Sequence, residues 1–347
     1  MSLLQATVSR RVVLALPLIG AACSGLRRGH SPEPRKLSRT AVLVAAGRAI
    51  SSRDPDESTR NPDYLAEKLL TPADLEMIED TFAYDNWNSS WSEVREHYKK
   101  QYGGLLANHS GFLPYPFLNL RTRHLDAAIL DALGNGTEQI VVLGAGLDSR
   151  AYRLTNSWDA GRVFEVDSPS TQEFKKRKIK SVIGDLPPNL TFVPIDFTQE
   201  SLREVLARGG YRSNAKTLMI LEGVSMYLPK AAVESTLAFV ARHAGPGSSI
   251  VFDYFDERLI TQDHNEQNWK DTAKTVKDWG EPWIFGIPNS GRDNVFRFVA
   301  AQGLKVQNDF SMGELCVKYL PPRIMPATFG LCRWAWRICR AMQRTTG

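Results

Sequence analysis

The stretch Gln139-Ile-Val-Val-Leu-Gly-Ala-Gly-Leu-Asp-Ser-Arg-Ala-Tyr-Arg153 decides how this chain is read. Ile140 to Leu143 is a continuous apolar run without alternation, the pattern of a strand buried on both faces in a parallel sheet. It stops at Gly144-Ala145-Gly146. Two glycines one residue apart at a strand's carboxyl end permit a tight turn and leave no Cβ between backbone and ligand. Ligands of open α/β sheets bind at that edge, so the stretch points to a nucleotide-type pocket.

Working outward, similar runs recur at residues 162–166, 191–195, 217–221 and 249–252, followed by Asp167, Asp196, Glu222 and Asp253. Helical patterns fill the gaps at 169–180, 201–208 and 230–243, which makes βαβ units and a parallel sheet. Acids at the strand ends face the ligand crevice of such a sheet. Upstream, residues 117–133 predict a helix closed by Gly134-Asn135-Gly136, with Arg121-Thr122-Arg123 near its start. Residues 38–49 and 66–70 also read as helical. The aromatics Trp87, Trp91, Tyr98 and Tyr102 are either the core of a helical cap or the lining of a pocket. After Tyr254 the alternation lapses until about residue 294, in an insertion holding Trp269, Trp279 and Trp283. A helix at 294–302 precedes two strands, 304–308 and 315–320, with no helix between them, which predicts an antiparallel pair at the sheet edge. The expected fold is α/β: a Rossmann-like, doubly wound, mostly parallel seven-stranded sheet with an antiparallel edge pair and a helical N-terminal cap.

Of the net charge of +5, residues 1–36 carry +5 and residues 321–347 another +5, which leaves the body at about −5. The basic character sits at the two ends, so a basic groove for nucleic acid is unsupported. The four cysteines, Cys23, Cys316, Cys332 and Cys339, form no C-x-x-C, and no His stands at ligand spacing. Neither a zinc site nor a disulfide framework is expected, and a reduced compartment fits. Residues 1–36 read as a leader or disordered extension. Ser9-Arg10-Arg11-Val12-Val13-Leu14 resembles a twin-arginine export signal, and the acid-free start also suits an organelle transit peptide. The apolar run up to Cys23 is too short to span a bilayer core. The expected location is cytoplasmic, or an organelle if the leader is a transit peptide, with export less favoured. The functional domain is expected at 37–320, with a cap at 37–120 and the insertion at 255–293. Residues 321–347, with five arginines, Trp334 and Trp336, read as a helical or disordered tail that docks on the body or touches a membrane surface.

The glycine turn narrows the ligand. A dinucleotide fingerprint is G-x-G-x-x-G/A, but the third position is Ser149, and Asp148 would repel a pyrophosphate. No P-loop pattern occurs. A ribose without phosphate remains, and S-adenosyl-L-methionine, with its cationic sulfonium, meets that description.

In order, Arg121-Thr122-Arg123-His124-Leu125-Asp126, Leu143 to Arg153, Phe164-Glu165-Val166-Asp167, Val193-Pro194-Ile195-Asp196-Phe197, Glu222-Gly223-Val224-Ser225-Met226-Tyr227-Leu228-Pro229 and Gly245-Pro246-Gly247-Ser248 resemble the leucine carboxyl methyltransferase-like family. The resemblance covers roughly residues 38–320. It implies a class I S-adenosylmethionine-dependent methyltransferase that methylates a carboxylate or hydroxyl of a small molecule, or else a protein C-terminal carboxylate. It implies that Asp167 holds the ribose, Asp196 and Phe197 the adenine, Gly144 and Gly146 admit the methionine part, Arg121 pairs with its carboxylate, and Glu222 lies near its amino group or the sulfonium. The residues leave other readings open. Asp167 and Asp196 could be caps, Arg123 could replace Arg121, Glu222 could bond its own turn, and Asp148 with Arg150 could form a local ion pair that fixes the loop. A carboxylate acceptor needs no base, whereas a hydroxyl does, with His109, His124 and Glu222 as candidates and Tyr227 facing the acceptor. The rivals are a non-catalytic S-adenosylmethionine binder and, more remotely, a nicotinamide oxidoreductase.

Overall fold

The structure, a computed structural model, describes residues 37–54, 56–75, 77, 115–157, 161–196, 199–265, 267–288, 292–322 and 336–344. Seven strands form one sheet: β1 (Gln139–Leu143), β2 (Arg162–Asp167), β3 (Leu190–Pro194), β4 (Thr217–Leu221), β5 (Ser249–Phe255), β6 (Leu304–Ser311) and β7 (Trp336–Gln343). Their spatial order is β3-β2-β1-β4-β5-β7-β6. β1 pairs in parallel with β2 and β4, β2 with β3, and β4 with β5. The order reverses at β1, so the carboxyl ends of β1 and β4 flank the crevice in which such sheets bind ligands.

Alternation along β1 divides the core. Ile140 and Val142 pack in one apolar cluster with Ile50, Ile129 and Ile179. Val141 and Leu143 pack in the other with Leu206, Leu237 and Val299. The first face is covered by α1 (Arg39–Ser51), α2 (Tyr115–Gly134) and α4 (Pro169–Ile183), and the short α3 (Arg150–Arg153) follows the glycine turn. The second carries α5 (Leu202–Arg208), α6 (Lys230–His243) and α9 (Arg292–Ala301). The insertion holds α7 (Glu257–Thr261) and α8 (Gln267–Asp278). Local signals explain several starts. Ser38, Ser168 and Ser201 each accept a backbone N–H as N-cap, and Pro169 sits at the first position of α4.

The antiparallel pair exists, but one of its two segments is not the expected one. Residues 315–320 are not a strand; they lie in or next to α10 (Met312–Tyr319). The cause is local. Ser311 and Glu314 form a reciprocal capping box, and Met312, Leu315 and Cys316 are buried at helical spacing. The missing strand comes from the segment expected to be a tail. β7 runs antiparallel to β5 on one side and to β6 on the other. The fold therefore does not close near residue 320. The arginines of β7 are paired: Arg337 lies 2.6 Å from Asp309 and Arg340 lies 2.6 Å from Asp131. The expected leader, the aromatic stretch around Trp87 to Tyr102, His109, Phe197 and Trp334 lie outside the described residues. No described helix is long and apolar enough to cross a membrane.

Candidate functional site

The turn after β1 is held open by backbone geometry. Gly144 (φ 64°) and Gly146 (φ 40°) both lie in the left-handed region that side chains avoid. Gly144 N–H and Ala145 N–H donate to the Val166 carbonyl, which ties the turn to β2. At the end of β2, Asp167 accepts from Gly146 N–H (2.7 Å) and Ser168 N–H (2.6 Å). Burial pushes its carboxyl upward, and these two N–H groups oppose that. No ion pair with a lysine or arginine reaches Asp167 among the described residues.

Beneath the turn, Lys175 of α4 is 2.8 Å from Glu165 of β2, both side chains being 1% exposed. Lys175 also donates to the Ala145 carbonyl (3.3 Å), and Tyr152 donates to Glu165 (3.3 Å). Burial pushes the Glu165 carboxyl up to about 7 despite Lys175. A glutamate on a strand covered on both faces demands such a partner. That demand is the sequence signal through which this pair could have been anticipated.

On the other side of the turn lies an alternating chain of buried charges. Arg48 pairs with Asp63 (3.0 Å), Asp63 with Arg153 (3.4 Å), and Arg153 with Asp126 (3.0 Å). Asp126 then pairs with Arg150 (2.7 Å), which also meets Asp148 (2.5 Å) and Glu222 (2.5 Å). Glu222 in turn meets Arg121 (2.7 Å), and Arg121 meets Asp253 (2.9 Å). Burial alone would raise the Glu222 carboxyl, but Arg150 and Arg121 hold it below its ordinary value. Asp148 is likewise held low by Arg150 and Lys175 against its burial. Asp253 is raised by burial, with Arg121 opposing. Nη2 of Arg150 is buried with no hydrogen-bond partner, a donor that a ligand acceptor would complete.

Asp167 and Glu222 thus stand at the predicted ends of β2 and β4, and Arg121, on α2, comes together with Glu222. The local Asp148–Arg150 pair forms, within a larger chain. Arg123 faces elsewhere, donating to the carbonyls of Glu57 and Arg60. Asp196 is half-buried, and its N–H donates to Glu200 (2.9 Å). His124 is engaged with α10 instead of the charge chain: its ring bonds Tyr319 OH (3.0 Å) and meets Phe310 edge-on. Burial, with Lys318 and Arg340 nearby, brings its pKa down to about 4. Sequence reading missed Arg48, Asp63, Lys175 and Trp336 as members of the site's surroundings.

The insertion and α1 form a roof. Glu281 accepts from Ser38 Oγ (2.9 Å), Arg39 N–H (2.9 Å) and Thr40 N–H (3.2 Å), so it caps α1 from 241 to 243 residues away. A carboxylate at a helix N-terminus is electrostatically favoured. Ile284 N–H and Phe285 N–H donate to the Met226 carbonyl, and Trp283 Nε1 donates to Tyr227 OH (3.4 Å). Phe255 packs edge-on against Trp283 (4.6 Å), Trp336 (5.3 Å) and Trp269 (6.1 Å). Burial raises the Tyr227 phenol above its ordinary value.

The family described as leucine carboxyl methyltransferase matches residues 41–241. YktD of Bacillus subtilis (strain 168), provisionally named an S-adenosyl-L-methionine-dependent methyltransferase, is 31% identical over 250 residues, which span 71% of this chain and 80% of that protein. A Mycobacterium marinum protein with the same provisional name is 33% identical over 227 residues, 64% of this chain and 67% of its own. Among solved structures, magnesium protoporphyrin IX methyltransferase from Synechocystis PCC 6803 with bound SAH aligns with a TM-score of 0.41 and 12% identity, over 73% of this chain and 99% of that one.

Proposed function

Since the chain belongs to the leucine carboxyl methyltransferase family and is an S-adenosyl-L-methionine-dependent methyltransferase, we propose that it moves the methyl group to a carboxylate or hydroxyl of a small molecule. The residues present fit the cofactor. The glycine turn has no Cβ in the way, Asp167 offers a carboxylate held by two backbone N–H groups and the Thr171 hydroxyl, with no ion pair, and Arg150 Nη2 is a buried donor without a partner. When bound, the cofactor supplies an activated methyl group on a sulfonium.

The chain's own residues then bind and orient. Asp167 holds the ribose hydroxyls. Gly144 and Gly146 admit the methionine part. Arg121, with two of its nitrogens already against Glu222 and Asp253, offers its Nη2 to the methionine carboxylate, and Arg150 offers its own buried Nη2. Glu222, kept ionised by two guanidinium groups, stands near the ammonium or sulfonium. Asp196 holds the adenine. Tyr227 and Trp283 cover the acceptor side. Orientation and exclusion of water supply most of the acceleration, since the methyl donor arrives activated. A carboxylate acceptor is ionised at neutral pH and needs no base.

The observation that favours a small acceptor is the roof: Glu281 fastens α1 over the aromatic cluster at the ends of β4 and β5. The test has two parts. Calorimetry with S-adenosylhomocysteine should show binding that Asp167→Ala weakens at least 100-fold; unchanged affinity overturns the ribose assignment. Labelled methyl transfer into a cell extract should place the label in the small-molecule fraction, released by alkali if an ester and retained if an ether. Label in the protein fraction would establish the alternative, a protein C-terminal carboxyl methyltransferase. Binding without transfer to either fraction would leave a non-catalytic binder.

A further inference from the structure

The C-terminal strand delivers one side chain to the site that neither the glycine turn nor the strand-end acids account for. Trp336 opens β7 opposite Phe255 of β5 and is 5% exposed. Its indole N–H donates to Asp253 Oδ2 (3.1 Å), the same oxygen that lies 2.9 Å from Arg121 Nη1. The Arg121 guanidinium carbon stands 4.8 Å over the indole centroid. One tryptophan therefore contacts Arg121 twice, directly through its ring face and indirectly through Asp253.

Each contact has a separate physical effect. The ring face attracts the cation and restricts the guanidinium plane. The N–H helps keep Asp253 ionised: burial raises that carboxyl, and its donors are Trp336, Arg121 and Gly223 N–H (2.7 Å). A phenylalanine would fill much of the same space and pack on Phe255, but it would leave Asp253 one donor short. Arg121 is then held by charge against Glu222 (Nε 2.7 Å from Oε1), by the Nη1 hydrogen bond to Asp253 and on its face by Trp336. Its Nη2 carries no partner among the described residues.

We propose that Trp336 is a positioning residue for Arg121, fixing the guanidinium so that its remaining nitrogen, Nη2, meets the amino-acid end of the cofactor. This rests on the reading of Arg121 as a partner of the methionine carboxylate. The proposal predicts a loss confined to ligands that possess that carboxylate. The test compares two probes by calorimetry on the full chain: S-adenosylhomocysteine, which has the amino-acid part, and 5′-methylthioadenosine, which lacks it. Trp336→Phe should weaken S-adenosylhomocysteine about tenfold and leave 5′-methylthioadenosine within twofold. Asp253→Asn, which keeps the shape and removes the shared charge, should give the same split, and it serves if Trp336→Phe does not fold. Equal weakening of both probes would mean Trp336 only supports the fold, and unchanged S-adenosylhomocysteine affinity would mean it does not act on Arg121; either overturns the proposal. Arg121→Gln separates the two layers. If it leaves S-adenosylhomocysteine binding unchanged, the reading of Arg121 fails. If it weakens binding while Trp336→Phe and Asp253→Asn do not, only the role of Trp336 fails.

Discussion

The two halves of the sheet's carboxyl edge hold their carboxylates by different means. At β1 and β2, Asp167 is bonded by backbone N–H groups 21 and 1 residues away, and Glu165 by a lysine on the very next helix. At β4 and β5, Glu222 and Asp253 are held by Arg150, Trp336 and Arg121 from 72, 83 and 132 residues away. The first half is built by a βαβ unit from neighbouring sequence. The second exists only once α2, the glycine turn and β7 have met, so its charges are correctly placed only in the complete fold.

The largest effect that would sharpen this contrast comes from Glu222. Removing it leaves Arg121 and Arg150 buried with fewer counter-charges, so Glu222→Ala should cost about 3–5 kcal/mol in urea unfolding. A loss near 1 kcal/mol would show that the long-range half is no more demanding than the local one. The local half makes a pH-dependent prediction. Burial holds the Glu165 carboxyl at about 7 in the fold, above its ordinary 4.5. A raised carboxyl contributes stability that is fully present below the ordinary value and is lost as pH rises through the folded value. The stability of the wild type relative to Glu165→Gln should therefore fall between pH 4.5 and pH 7, by on the order of 3 kcal/mol. A difference that stays flat across that window would show that Lys175 offsets the burial of Glu165 completely. The smallest effect separates sequence distance from position in the sheet. Ser311 lies in the same half as Glu222, yet its capping box with Glu314 is local. Ser311→Ala should cost about 1 kcal/mol and leave S-adenosylhomocysteine affinity unchanged. A change in that affinity would tie α10 to the site.

Legibility in the sequence follows the same division. The strands β1 to β5, the helices between them and the glycine turn were readable because each is specified by its own period and caps. Asp167 and Glu222 were readable as strand-end acids. Residues 315–320 misled because a mostly apolar segment of that length, interrupted only by Lys318, suits a short strand as well as one face of a helix, and the Ser311–Glu314 box decides between them. The strand β7 was missed for the opposite reason. Its sequence, Trp-Arg-Ile-Cys-Arg-Ala-Met-Gln, lacks a clean alternation and carries two arginines. Acids brought from elsewhere, Asp309 of β6 and Glu314 of α10 at Arg337 and Asp131 of α2 at Arg340, make those charges acceptable in a strand paired on both sides.

By itself, then, the sequence determined the parallel α/β order, the tight turn after β1 and the acids that line its edge, because backbone periodicity and glycine conformation act over a few residues. The tertiary structure decided that the C-terminal segment enters the sheet between β5 and β6, that Glu281 caps α1, and that Trp336 and Asp253 hold Arg121. Those outcomes depend on matching buried charges and donors across more than eighty residues of chain. Such matching has no local period to read, and it is enforced only when burial makes an unpaired group costly.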